Sequence, residues 1–473
     1  MKWLFLVNNA DYLFEFLGKV GSQLVKEQDE CLLAVNSKIA EYEKSKFFPK
    51  EARIISKVDW CIKNYDPARQ EFGELSWREL YTIYERFNLY KYDYKKCLNI
   101  AGQLFQFFDF IFKNEKPDAV IGEVPAGFFG LAAYYFCKKN NIPFYEVAES
   151  RISGRIDIHD CEWTCSKYEK TFKSLTNQDI LPEESAFTKS FIDNFISHKI
   201  IYSSYYLGKI KFNFITFAIH YYKRVKQLGK VFLRYALDRK KFAEFDYESE
   251  SILLHSIASP FRTIKRNFKI LFEKNIFDKF NPKEKYFFFP LQFEPEASTL
   301  VLATFYSNQL ATIKNVAITL PFPYKLYLKE HPGSIGARKK DFYKEIKKIP
   351  NAVLLSSKEH VPEIIDGSSG VIVMTSTVGM EAALSGKPVY ILGNVFYSYH
   401  PMCKKVGNFQ NLKEKIKQDL KINQKIEDLG QQNERFIVSY LRNGIEANIF
   451  TASVGKDENN YKKIYQDLKN FNK

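Results

Sequence analysis

The sequence of 473 residues predicts an α/β protein of two domains, each with a parallel, doubly wound sheet, and a basic helical segment before the second. Three observations carry this. Strand-like and helix-like runs alternate over the first 150 residues, and alternation resumes at residue 285. Between them, from about Leu181 to Glu284, the chain is helical in pattern, aromatic and basic, with no convincing strand pairs. A chain this long also exceeds what one hydrophobic core supports. The expected divisions are 1–180, 181–284, 285–425 and a helical tail over 426–473.

In order, WLFLVN (3–8) is a buried strand and LFEFLGKVGSQLVKE (13–27) an amphipathic helix. CLLAVN (31–36) and ARIIS (52–56) are further strands. Ser76 caps a long helical tract through Trp77 and Tyr94 towards Phe112, which Pro117 ends. DAVIGE (118–123), GFFGLAAYYFCKKNN (127–141) and PFYEVAES (143–150) follow as strand, helix and strand. In the second domain KYFFFPLQ (285–292), YKLYL (324–328), AVLLS (352–356), GVIVMT (370–375) and PVYIL (388–392) are strands. The helices between them run from Ser298 to about Thr319 and over 338–348, 361–366 and 378–386, and two amphipathic tracts close the chain.

Hydrophobic content of 45% and charged content of 26% are those of a globular protein. The net charge of +15 is local: residues 199–241 hold eleven Lys or Arg against one acid, Asp238. Such a segment points to an anionic partner surface. Seven scattered cysteines are an odd number, and the close pair Cys161 and Cys165 has no second pair to complete a zinc site. With Trp163 between them, they read with His159 as core packing, and the expectation is reduced thiols and no metal. Asn8, Asn9 and Asp11 interrupt the first apolar run, which suits a strand better than a signal peptide. No stretch approaches the ~20 apolar residues of a membrane span. The expected location is cytoplasmic, with peripheral attachment to the inner face of the membrane as its extension. No G-x-G-x-x-G, P-loop or nucleophile elbow occurs, which argues against dinucleotide redox enzymes, P-loop NTPases and α/β-hydrolases.

The polar residues worth chemical attention sit where strands end, because open α/β sheets hold ligands at their carboxyl edge. Thr375, Ser376 and Thr377 follow a buried strand and precede a helix, an arrangement suited to a phosphate. Gly379 would let a ligand approach the backbone, and Glu381, a turn further, can accept from ribose hydroxyls. His331 ends the next strand but one upstream, with Pro332 and Gly333 to hold its turn, and can donate to the same phosphate. Gln292 and Glu294 follow the strand at 285–292 and can reach a substrate from an interdomain cleft. In the first domain Glu123, Glu149 and Asp11 each lie at a strand end and are alternative general bases, while Arg151 and Arg155 can take an anionic acceptor group.

These motifs (PLQFEPE, KEHP and TSTVGMEAALSGKPVYILG, with 117–156 matching in style) resemble the bacterial capsule and surface-polysaccharide biosynthesis proteins of the GT-B glycosyltransferase type. The resemblance implies two Rossmann-like domains facing a cleft, with a nucleotide-sugar donor on the second and an acceptor on the first. In the related sialyl- and Kdo-transferases the HP histidine and the Ser/Thr cluster contact the phosphate of a CMP-sugar, which maps here onto His331, Ser376 and Thr377. No metal or other cofactor is implied, the nucleotide-sugar being a substrate. The sequence lacks an Asp/Glu-Asp/Glu-Gly sialyltransferase motif. The expected function is inverting glycosyl transfer, CMP-sugar favoured, to a glycan or lipid-linked acceptor. Residues 199–241 then read either as a surface for anionic lipid or as a solvated helix face with a buried aromatic side. Nucleic acid is not expected, since no recognition motif accompanies the charge. The alternatives are a poly(glycerol-phosphate)-type transferase, a sugar-nucleotide epimerase on the same fold, and a non-catalytic polysaccharide assembly or export factor.

Overall fold

A computed structural model describes residues 1–10, 13–69, 72, 94–125, 127–160, 163, 165–196, 244–248, 276–294, 296–336, 338, 340–422, 428–449 and 460–470. The basic segment 199–241, Asp11, Cys161 and the tract around Ser76 and Trp77 lie outside the described residues. The chain forms two compact units. The first takes the described residues of Met1–Cys161, Tyr206–Pro260 and Gly444–Lys473, and the second those of Glu162–Tyr205 and Phe261–Asn443.

The first unit is built on strands β1 (Lys2–Val7), β2 (Glu30–Val35), β3 (Arg53–Ser56), β4 (Ala119–Gly122), β5 (Phe144–Glu149), β6 (Arg155–His159) and β13 (Ile445–Glu446). Their order is β13-β6-β5-β4-β1-β2-β3. β1 to β5 are parallel, while β6 runs antiparallel to β5 and β13 antiparallel to β6. The strands read as continuous apolar runs because both faces are covered. Trp3, Phe5 and Val7 pack with helix Phe14–Lys26 and with Ile464, Tyr465 and Leu468 of helix Asn460–Asn470. Leu4 and Leu6 face the helices Tyr94–Phe110 and Phe128–Asn140, through Leu104, Phe108, Phe129 and Ala133.

The second unit holds β7 (Tyr286–Pro290), β8 (Lys325–Lys329), β9 (Ala352–Leu355), β10 (Val371–Val373), β11 (Val389–Ile391) and β12 (Cys403–Lys405). All are parallel, in the order β12-β11-β10-β7-β8-β9. The chain leaves β7 towards β8 and β9, then crosses to β10 on the other side. The switch point of this doubly wound sheet therefore lies between β7 and β10. In the first unit it lies between β1 and β4, by the same reasoning.

The expected two α/β domains are present, but the chain does not divide in the expected order. Helices Ser166–Ser174 and Pro182–Ile196 belong to the second unit, where Arg442 of helix Leu429–Asn443 pairs with Glu184 at 2.7 Å and Arg435 lies over the Phe172 ring. The expected tail over 426–473 is split, its last part returning to the first unit as β13 and helix Asn460–Asn470. An amphipathic stripe shows that a helix packs on something, not on which sheet. β6, β12 and β13 were not expected either: each is an edge strand or next to one, short and partly polar, and so without the apolar signature.

Candidate functional site

The carboxyl ends of β7, β8 and β10 bring Gln292, Glu294, His331, Thr375, Ser376 and Thr377 to one edge of the second sheet. Lys329, the last residue of β8, is buried with its Nζ donating to Ser357 O at 2.9 Å. Burial lowers its pKa, and the Glu381 carboxylate is the leading opposing influence, so helix Val378–Leu384 sits within electrostatic reach of β8.

His331 closes its own turn. Its Nδ1 accepts the Gly333 amide at 3.0 Å, and Pro332 starts the short 3₁₀ turn Pro332–Ser334. With Nδ1 used as an acceptor, the proton of the neutral ring belongs on Nε2. Burial lowers the His331 pKa, partly opposed by Glu330, so the ring is neutral at pH 7 and offers Nε2–H as a donor. Phe293 packs beside it, with ring centroids 5.8 Å apart.

The hydroxyl run divides its work. Ser376 Oγ accepts the Val378 amide at 3.3 Å, which is ordinary turn chemistry, whereas Thr377 stands at the N-cap with no side-chain cap bond. Thr375 Oγ1 is buried without a hydrogen-bond partner. At Gly379, expected to let a ligand approach the backbone, packing alone already requires glycine. A Cβ there would lie 2.9 Å from Tyr397 Cζ and closer still to its hydroxyl, which donates to Ser376 O.

Two buried residues that the sequence reading missed join these loops. Glu330 accepts from the His331 amide (2.6 Å), Arg338 Nε (2.7 Å) and Tyr343 OH (2.8 Å). Arg338 also donates through Nη2 to Gln292 O at 2.5 Å, and its Nη1 lies 3.4 Å from Glu294 Oε2. The Gln292 backbone is held further by Gln309, whose Oε1 accepts the Gln292 amide at 2.8 Å. Glu330 stood in plain view inside KEHP; nothing in the sequence pairs it with an arginine eight residues on.

In the first unit the strand ends collect acids. Asn8 and Asn9, the two residues after β1, donate to Glu123 Oε1 (2.6 Å) and Glu248 Oε2 (2.8 Å) respectively. Residues 244–248 lie across three strand ends. Lys57 Nζ, after β3, donates to Phe245 O; the Lys38 amide, after β2, donates to Asp246 Oδ2 at 3.0 Å; Asn36 Nδ2 donates to the Tyr247 hydroxyl at 3.3 Å. Burial raises the Glu248 pKa to about 7, aided by Asp246 and Glu123 and opposed by Lys57. Glu248 was not among the expected residues. Its signal was the acidic run after the basic segment, but nothing local tied that run to β1.

Of the expected first-unit residues, Glu123 thus lies among these acids. Glu149 ends β5 on the exposed side, its pKa raised by burial and countered by Arg151. Arg155 opens β6 and holds the sheet edge, donating to Gly444 O at 2.9 Å and pairing with Glu446 at 3.2 Å. His159 is buried and held neutral, its pKa lowered to about 3 by burial and then by Arg151. Among the described residues no three His, Cys, Asp or Glu gather as a metal site, and no helix is long and apolar enough to cross a membrane.

Comparison with known proteins adds the following. The beta Kdo 2,7 transferase KpsC of Thermosulfurimonas dismutans is similar at 11% identity over 78% of this chain and 90% of that one, with a TM-score of 0.37. The UDP-GlcNAc 2-epimerase of Neisseria meningitidis bound to UDP-GlcNAc is similar at 13% identity over 99% and 100%, with a TM-score of 0.24. Anabaena Alr3699/HepE in complex with UDP and glucose is similar at 10% identity over 99% and 100%, with a TM-score of 0.27. No curated protein sequence matches the chain. Residues 233–428 match the family model described as capsule polysaccharide biosynthesis protein, a stretch that takes in β7 to β12 and Gln292, Glu294, His331, Thr375, Ser376, Thr377 and Glu381. Over that stretch the chain carries the sequence pattern of the capsule polysaccharide biosynthesis family, as its motifs implied.

Proposed function

We propose that the protein is a glycosyltransferase of capsule or surface-polysaccharide assembly whose second unit binds a nucleotide-sugar, with a CMP-sugar favoured. The observation that carries this is His331: a half-buried, neutral imidazole fixed by its own turn, with Nε2–H left to donate at the sheet edge where an open α/β fold holds phosphates. Ser376, Thr377 and the unpartnered Thr375 hydroxyl lie on the same edge. Glu381 is the candidate for the ribose, and Gln292 and Glu294 for the sugar.

The reaction is direct displacement with inversion, without a metal. The acceptor hydroxyl loses its proton to a first-unit carboxylate, its oxygen bonds the anomeric carbon, and the bond from that carbon to the phosphate oxygen breaks. His331 Nε2–H and the hydroxyls stabilise the charge that collects on the departing phosphate. Glu123 and Glu149 remain alternatives for the base, as does Asp11, and Glu248 joins them as a group whose pKa lies in the working range. A glycan or lipid-linked acceptor and an anionic membrane contact through 199–241 belong to the same reading.

The test is melting temperature against CMP, CDP, UDP, GDP and ADP, for wild type and His331→Ala. One nucleotide should raise the wild-type value, by about 2.7 kcal/mol of stabilisation at a hundredfold excess over Kd, and leave the variant unmoved. No shift with any nucleotide would remove the donor reading.

A further inference from the structure

We propose that the buried Glu330–Arg338 ion pair is the positioning element of the second unit's ligand end, setting the spacing of the β7 and β8 loops so that His331 Nε2 and Glu294 serve one bound ligand. The inference rests on the donor reading above and deepens it. Glu330 is 1% exposed and Arg338 9%. Such a pair seldom adds net stability over apolar residues of the same volume, which directs attention to what it holds in place.

The geometry supplies one. One guanidinium spans two strand-end loops: Nε reaches Glu330, after β8, at 2.7 Å, and Nη2 reaches Gln292 O, after β7, at 2.5 Å. Its third edge lies 3.4 Å from Glu294, and its flat face lies over Phe342 with Cζ 4.6 Å from the ring centroid. Lysine, a single point of charge, cannot hold both loops at fixed separation. The other Glu330 oxygen takes the His331 amide, so the backbone that carries the imidazole is fastened to the same strut. The loops are packed without slack. A Cβ at Gly333 would lie 3.1 Å from His331 Nδ1 and 3.2 Å from Phe293 Cδ2, one neighbour from each loop. Moving either loop would therefore turn the ring or break its Nδ1 bond to the Gly333 amide.

Two variants test this: Arg338→Lys, which keeps the charge, and Glu330→Leu with Arg338→Leu, which leaves no buried charge unpaired. The ligand-free readout is the ¹⁵N signature of the His331 ring in histidine-labelled protein, assigned with His331→Asn. The ligand readout is calorimetric affinity for CMP, CDP, UDP, GDP and ADP. The expected result in both variants is loss of the pure Nε2–H signature, with nucleotide affinity down about tenfold, the scale of one charge-assisted contact. A wild-type signature or an unchanged affinity in either variant overturns the proposal. If wild type binds none of the five, the donor reading falls by itself. The ring signature then decides the strut alone, and its persistence in either variant overturns that as well.

Discussion

Replacing Glu248 by Gln should change the pH dependence of stability in a direction that the structure dictates. In the fold this carboxyl takes up a proton near pH 7, against an ordinary 4.5, because burial, Asp246 and Glu123 disfavour its charge more than Lys57 favours it. The folded form therefore binds a proton that the unfolded chain releases between those values, and stability falls as pH rises through the window. The penalty is absent below 4.5, grows to about pH 7 and is complete above it. At about 1.4 kcal/mol per pH unit it amounts to about 3 kcal/mol. Gln removes the penalty and keeps an oxygen for Asn9 Nδ2, but deprives Lys57 of a countercharge, which leaves a gain of about 1–3 kcal/mol. For a unit of this size that is about 2–12 °C in melting temperature at pH 8. Melting curves of wild type and variant at pH 5, 6, 7 and 8 should differ little at pH 5 and diverge upwards. Parallel curves, or divergence at the acid end, would refute the reasoning, since either outcome means that Glu248 is ionised in the fold at ordinary pH.

Two further substitutions separate packing from ligand roles. Gly379→Ala should destabilise the protein by about 1–3 kcal/mol despite the better helix propensity of Ala, because its Cβ meets the Tyr397 ring; adding Tyr397→Phe should recover part of the loss in urea melts. Arg155→Ala should cost no more than about 1–2 kcal/mol, since it loses a half-exposed ion pair and one carbonyl bond at the β13 edge, and acceptor saturation should be unchanged if the residue serves the sheet alone. A raised acceptor KM with unchanged stability would return Arg155 to the acceptor side.

What could be read in the sequence follows from where each signal is stored. Central parallel strands are apolar on both faces, so WLFLVN, YFFF and VIVM announced themselves, and the alternation with helices implied their parallel pairing. His331, Gln292 and the 375–377 hydroxyls were legible as a group because strand ends of one doubly wound sheet share an edge whatever the loops do. The partners of those residues were not. Arg338 follows a 3₁₀ turn whose course no periodicity predicts, and the Glu330 carboxylate reads in sequence like any surface acid.

The first unit stretches the point further. Glu123 was visible as a strand-end carboxylate, but the group with the perturbed proton is Glu248, well over a hundred residues along the chain. Only the fold lays 244–248 over Asn36, Lys38 and Lys57, which follow β2 and β3. The contacts are specific in kind: a buried lysine Nζ on a carbonyl, a backbone amide on a carboxylate and an amide on a phenol. Each would be an unpaired buried group without the others, so the segment and the strand ends stabilise one another. The same contacts occupy the β1-β2-β3 side of the carboxyl edge with the chain's own residues. If the proposed transfer holds, the base in this unit is to be sought beside β1 and β4, where Glu123 and Glu248 stand on neighbouring asparagines and Glu248 has a near-neutral pKa.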